Sequence, residues 1–289
     1  MKNTNLNYAL VSVCIPAFNA AKYIEETIYS VLSQDHERIE ILISDNHSTD
    51  GTWDIVVELA KKSKYIKIIR NIKNVGMTYN WNSVVKMAQG DFVLLLSADD
   101  KLDKSFITEA LADFASHRDV DIVTCNFFYL EKHRLRKRWV QPISKIYFDF
   151  IPLVLQKNPF SINFTLFSRD ALKKLKSEEG LFRRNLMTCD YDLWFRIAAS
   201  DLRIFYDDKS LGIYRCHATN LSNAKLKMMR QTLLVILTQK KYFTKNCFFL
   251  YKYLLLKFIV KYLYYVYFLR GFQKDEKLFK LLIKNFITN

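Results

Sequence analysis

The sequence predicts an α/β fold: a mostly parallel sheet with helices on both faces, followed by a helical, basic and aromatic C-terminal extension. Three observations predict it. Short β-rich runs alternate with stretches of helical periodicity through the first third of the chain. Each early run ends in a polar or turn-forming cluster, the punctuation of strand exits. From Leu226 to Asn289 the character changes, with 13 Lys or Arg against two acids, Asp275 and Glu276.

Taken in order, Leu10–Ile15, Ile39–Ser44, Ile66–Arg70 and Phe92–Leu96 read as strands. Ala20–Ser33, Thr52–Lys62 and Thr78–Gln89 read as the helices between them, with apolar residues at i, i+3 and i+4. The middle of the chain is less regular. Helix is expected at Lys104–Ser116 and strand at Asp121–Leu130. The basic turn His133–Arg138 follows, then a helix near Ile146–Gln156 and a strand near Asn163–Ser168. Met187–Ala199 reads as a helix with an acidic start, and Arg203–Tyr206 and Gly212–Cys216 as two closing strands. Residues 1–224 read as one domain and 225–289 as the helical extension, with no Gly/Ser/Pro-rich linker between them.

The 289 residues are half apolar, enough for a large core without staples. Five cysteines (Cys14, Cys125, Cys189, Cys216, Cys247) show no CxxC spacing. They point to neither a disulfide framework nor a zinc knuckle, and a reducing cytoplasm is expected. The N-terminus does not read as a signal peptide, since the run Leu10–Ile15 is short and stopped by Pro16. No uncharged apolar run reaches the ~18 residues of a membrane span. The formal charge of +15 is concentrated in the tail. Between Tyr242 and Leu269 twelve aromatics are interleaved with Lys245, Lys252, Lys257 and Lys261. That pattern fits peripheral contact with an anionic membrane surface through 225–289, or packing on the catalytic domain or a second copy, better than nucleic acid, for which no reading module is present.

Ligands of parallel sheets bind beyond the carboxyl ends of the strands. The exits read Pro16-Ala17-Phe18-Asn19, Asp45–Gly51, Asn71–Gly76 and Ser97-Ala98-Asp99-Asp100. A carboxylate such as Asp45 at an exit suits a base imide or a ribose hydroxyl, although Ser48, Thr49 and Asp50 also make a turn and cap. Paired carboxylates, Asp99 and Asp100, suit a hard divalent cation, or else a solvated turn. Asp190 and Asp192 open a helix and favour its dipole, and either is a candidate proton acceptor. They point about 200° apart, so spacing alone does not choose between them. His217, at the end of a strand, is a candidate metal or phosphate ligand or a packed residue.

The ordered set of stretches "VSVCIPAFNAAKYIEETIYSVLSQ", "EILISDNHSTDGT", "NVGMTYNWNSVVKMAQGDFVLLLSADD", "TCDYDLWFRIA" and "YRCHATNLS" resembles the family 2 glycosyltransferases over about three-quarters of the chain. The resemblance implies the GT-A fold, a Rossmann-like, mostly parallel sheet, and the cytoplasmic synthesis of a surface glycan at the inner face of the membrane. It implies that Asp45 contacts the nucleotide base and that Pro16, Asn19, Asn46, Gly76 and Asn82 line the nucleotide-sugar side. Asp99 and Asp100 hold Mn2+ or Mg2+ on the diphosphate, with His217 beside them, and Asp190 is the general base. The implied donor is a UDP-sugar and the acceptor a saccharide or lipid-linked saccharide, with inversion at the anomeric carbon. Three departures stand out: Asn46 replaces a common Asp, Ser97 the first acid of a D-x-D reading, and Cys189 the common Glu before the base. They leave a catalytically silent nucleotide- or glycan-binding protein of the same fold as the alternative.

Overall fold

A computed structural model describes residues 6–138, 144–183, 185–218, 220, 224–239, 242 and 245–268. The N-terminal unit is built as the alternation predicts. Strands β1 (Val11–Ala17), β2 (Ile39–Asp45), β3 (Ile66–Arg70) and β4 (Phe92–Leu95) alternate with helices α1 (Ile24–Leu32), α2 (Thr52–Lys62) and α3 (Met77–Met87). β1 pairs in parallel with both β2 and β4, and β2 with β3. Side chains of a strand alternate between faces, and both faces here are apolar. Val11, Val13 and Ile15 enter one core while Cys14 enters the other; Phe92 and Leu94 likewise oppose Val93 and Leu95.

The second half extends this sheet. After β5 (Lys101–Leu102) and α4 (Phe106–Ser116) come β6 (Ile122–Glu131), β7 (Arg134–Lys137), β8 (Lys145–Tyr147), α5 (Ile151–Gln156), β9 (Thr165–Ser168), α6 (Arg169–Leu175), α7 (Cys189–Ala198) and β10 (Ile204–Cys216). The strand order is β3-β2-β1-β4-β9-β6-β10-β5. β9 lies antiparallel to both β4 and β6, so β4 and β6 run the same way; β10 is parallel to β6. The carboxyl ends of β1, β2, β3, β4 and β10 therefore share one edge.

Three expectations are corrected. The stretch near Ile146–Gln156 is not one helix: Lys145–Tyr147 is a strand on β10, and the helix begins only at Ile151, next to Pro152 at its start. The two closing strands are one, β10, with register irregularities between Asp207 and Gly212. The basic segment after β6 is a hairpin strand, Arg134–Lys137, exposed throughout.

The tail forms α8 (Lys225–Thr238) and α9 (Lys245–Phe268). Leu233, Val235, Ile236, Tyr251, Leu254, Leu255 and Ile259 join the core that holds α5 and α7. Among the described residues no helix is long and apolar enough to cross a membrane. Gln239, fully buried at the end of α8, donates its amide to Asp192 of α7. A buried donor to a carboxylate that also holds two arginines is costly to remove. Gln239→Met is expected to lower unfolding free energy by about 1–3 kcal/mol, read as a shifted urea midpoint at unchanged slope; an unchanged midpoint would show that the tail is not fastened there.

Candidate active site

The β1 and β2 exits are tied to each other before any ligand is considered. Pro16 is buried opposite Ser44. Asn19 is exposed, with left-handed backbone (φ 49°), and its side-chain oxygen accepts the Thr49 N–H at 2.9 Å. Asn19 also donates its own N–H to Ser48 Oγ at 3.0 Å. Asp45 is fully buried. Its carboxylate accepts the Ser48 N–H (3.1 Å), the Ser48 hydroxyl and Arg70 Nε (3.1 Å). The Asp45 oxygens shape the turn, and Arg70, which pairs with them, lies 5.2 Å over the Trp53 ring.

Asn46 is also a builder. Its Oδ1 accepts from Asn71 Nδ2 (3.1 Å) and the Val75 N–H (3.0 Å), and its Nδ2 donates to Asn74 at 2.9 Å. Exposed Gly76 (φ 87°) then leads into α3, in a left-handed backbone that other residues adopt only under strain. Asn82 faces away from these loops. Its amide donates to the carbonyls of Glu179 (3.1 Å) and Phe182 (2.7 Å) and accepts the Phe182 N–H (2.9 Å). Asn82 therefore clasps the loop before α7. Gly180 is needed there, since a Cβ would lie 2.7 Å from the Asn82 amide.

The two carboxylates at the β4 exit differ. Asp100 is buried, accepting the Arg215 N–H at 2.9 Å and Asn163 Nδ2 at 2.5 Å. Burial first, and the charge of Asp99 second, push its carboxyl well above the usual range. Ser97, where an acid was the expected pattern, donates to the same Asn163 at 3.0 Å. Asp99 keeps 24% of its side chain exposed and accepts from His217 Nε2 at 2.8 Å. Asn220 braces both, donating to Asp99 (3.4 Å) and accepting the His217 N–H (2.5 Å). Arg215 Nε donates to the Asp99 carbonyl at 2.9 Å, and its guanidinium pairs with Glu26 of α1 at 2.9 Å. Tyr23 stacks on His217 with ring centroids 4.8 Å apart, and the Arg215 guanidinium lies 4.8 Å from the same tyrosine ring.

Asp190 and Asp192 separate as helix geometry requires. Asp192 is fully buried in ion pairs with Arg196 (3.0 Å) and Arg183 (3.2 Å), besides Gln239. Asp190 is half-buried at the start of α7 and accepts from Asn158 Nδ2 at 2.7 Å. Desolvation raises its carboxyl above the ordinary range, and the Asn158 N–H opposes that rise. The loop before α7 meets the exit edge where Asn185 donates its N–H to Thr78 at the head of α3 (3.2 Å). Preceding Cys189 is fully buried core, its thiol pushed up by burial.

The arrangement brings Asp99 and His217 together and leaves Asp190, half-buried, at the start of α7. Asp100, Asp45, Asn46 and Asn82 each make hydrogen bonds that hold the surrounding loops in place. For a divalent cation, Asp99 offers oxygen and His217 nitrogen, a pair that fits Mn2+ well when substrate oxygens and water complete the shell. Among the described residues no cluster of three or more His, Cys, Asp or Glu side chains forms a cage. Sequence reasoning missed Tyr23, Asn158, Asn163, Arg215 and Asn220, though Arg215 and Asn220 lie inside the quoted "YRCHATNLS".

The family model Glycosyl transferase family 2 matches residues 12–176. An uncharacterised glycosyltransferase of Methanocaldococcus jannaschii is 27% identical over 249 residues, 83% of either chain. The Escherichia coli UDP-Glc:alpha-D-GlcNAc-diphosphoundecaprenol beta-1,3-glucosyltransferase WfaP is 26% identical over 239 residues, 77% of this chain and 84% of its own. Among solved structures, S. aureus TarS 1–349 in complex with UDP-GlcNAc superposes with TM-score 0.69 at 20% identity, covering 96% of this chain and 81% of that one. The mannosyltransferase PcManGT from Pyrobaculum calidifontis, in complex with GDP-Man and Mn2+, gives 0.66 at 18%, covering 96% and 79%. Both share the GT-A fold.

The clasp has a direct test. Asn82→Ala removes three hydrogen bonds and is expected to cost about 2 kcal/mol of stability in urea denaturation. Nucleotide affinity, measured on the folded variant, should change little; a large loss of affinity at full stability would return Asn82 to the ligand.

Proposed function

The chain belongs to the family 2 glycosyltransferases, and from that membership we propose that it moves a sugar from a nucleotide-diphosphate sugar, UDP-linked in our reading, to a hydroxyl of a saccharide or lipid-linked saccharide. The observation that carries the proposal is the contact of partly exposed Asp99 with His217 at the β4 exit, and the half-buried carboxylate Asp190 at the start of α7 supports it. A lipid-linked acceptor in surface-glycan synthesis, at the inner face of the cytoplasmic membrane, is the setting we favour. The diphosphoundecaprenol acceptor in the name of the E. coli relative supports it.

In this reading Asp190 takes the proton of the acceptor hydroxyl as that oxygen attacks the anomeric carbon. The new C–O bond forms on the face opposite the breaking bond to the diphosphate, and configuration inverts. Asn158 keeps the Asp190 carboxylate aimed and favours its ionised form. Asp99 and His217 would hold Mn2+ or Mg2+, which when bound neutralises charge on the departing diphosphate. Asn19 and Gly76 offer the nucleotide-side surface, with Pro16, Asp45 and Asn46 fixing its shape. The alternative, a nucleotide-binding protein without turnover, draws on Ser97 and on the inward turn of Asp100.

Two measurements decide. UDP with Mn2+ at about a hundred times its dissociation constant should stabilise the protein by about 2.7 kcal/mol, in Asp190→Asn as in the parent. Transfer in that variant should fall by about 10²–10⁴; retained transfer removes Asp190 from the role, and binding without any turnover by the parent favours the alternative. The second measurement is the pH profile. A base whose carboxyl is raised by burial is protonated, and activity lost, as pH falls through a value above the ordinary carboxylate range. Asn158→Ala deletes a donor to the ionised form, so the acid limb of kcat/KM should move to higher pH while the alkaline plateau holds; an unmoved limb separates Asn158 from the base.

A further inference from the structure

Helix α9 has two apolar faces, and the fold uses one. Tyr251, Leu254, Leu255 and Ile259 are buried against the core that also holds α5. On the other side Phe249, Tyr253, Leu256 and Val260 are 83%, 62%, 46% and 58% exposed. Their spacing of four, three and four keeps them within about 60° of arc, a stripe about 16 Å long. Exposed Lys257 and half-buried Lys252 flank it at about 80° on one side and 60° on the other. From Lys245 to Phe268 the helix has four lysines and no acid.

We propose that this stripe docks α9, lying in the interface plane, on an anionic lipid surface. Charge selects the occupant. A second copy could match the 4-3-4 spacing as a coiled coil, but its flanking positions would bring lysine against lysine with no acid to pair. Anionic headgroups satisfy those lysines, whose stems cover the apolar edge while the ammonium groups reach outward. The residues from Leu226 onward carry a net charge of +11, which adds a general attraction of the chain to an anionic surface. The inference concerns a surface and stands independently of sugar transfer.

The test is flotation of the full chain with vesicles of phosphatidylcholine alone or mixed with phosphatidylglycerol. The chain should float with the mixed vesicles at low salt, and less at high salt. The double variant Phe249→Ser/Tyr253→Ser should lose at least about tenfold in partitioning. Both residues are exposed, so its melting temperature should hold. Lys257→Glu should weaken binding to the mixed vesicles alone, and it controls for any unfolding of the double variant. UDP binding should persist in every variant, which separates a failure here from a failure of the catalytic reading. Equal behaviour with and without phosphatidylglycerol overturns the proposal. So does a parent that sediments as a dimer, ignores vesicles and becomes monomeric in the double variant.

Discussion

The site depends on one buried carboxylate. Asp100 sits where β4 ends, and everything that faces it is a donor: the Arg215 N–H from β10 and the Asn163 amide from the turn before β9. Two carboxylates side by side repel and resist desolvation. The fold resolves this by giving them different environments. Asp100 is enclosed and tied to two other segments of chain, and Asp99 is left partly exposed with His217. Because the Asp100 oxygens fix the end of β10, they also fix where His217 arrives. Without that tie the Asp99–His217 pair would depend on a loop, and a loop rarely holds two ligands to hydrogen-bond distance.

The same economy governs the nucleotide side. The chain there uses amides where acids are common. Asn46, Asn71, Asn74 and Asn80 link β1, β2 and the loop before α3, and Asn80 alone reaches Ser44 Oγ (2.7 Å) and the Ser44 carbonyl (2.9 Å). Buried amides are acceptable only when both ends are satisfied, and here they are satisfied by one another. The edge is therefore stiff. Asp45, buried with Arg70, belongs to this scaffold. A base or ribose would meet a surface already held in shape.

The first four strands were legible because period-2 and period-3.6 patterns alternate cleanly, and each exit carries turn residues. The region from Lys145 to Gln156 was not, because an apolar run without polar punctuation does not say where a strand becomes a helix. At the site, the candidate residues Asp99, His217 and Asp190 stood out by type and place. Residues acting through contacts did not. Asn163 meets Asp100 across 63 positions and Arg215 meets it across 115, distances no local pattern encodes. One signal was present and unread: Arg196 lies four residues after Asp192, the spacing of a helical ion pair. It marks Asp192 as an ion-paired residue, with no appeal to resemblance.

That division on α7 connects the tail to the site. Asp192 is clamped by Arg183, Arg196 and Gln239, the last of them from α8. An ion pair so enclosed contributes less to net stability than to fixing one geometry. Here the geometry fixed is the rotation of α7 about its axis. Rotation decides which way Asp190 points, since the two acids are rigidly about 200° apart. The basic tail is thus more than an appendage to the catalytic unit. By joining Arg183 and Arg196 on Asp192, Gln239 makes the tail one of the three contacts that fix the rotation of α7, and with it the direction in which Asp190 points.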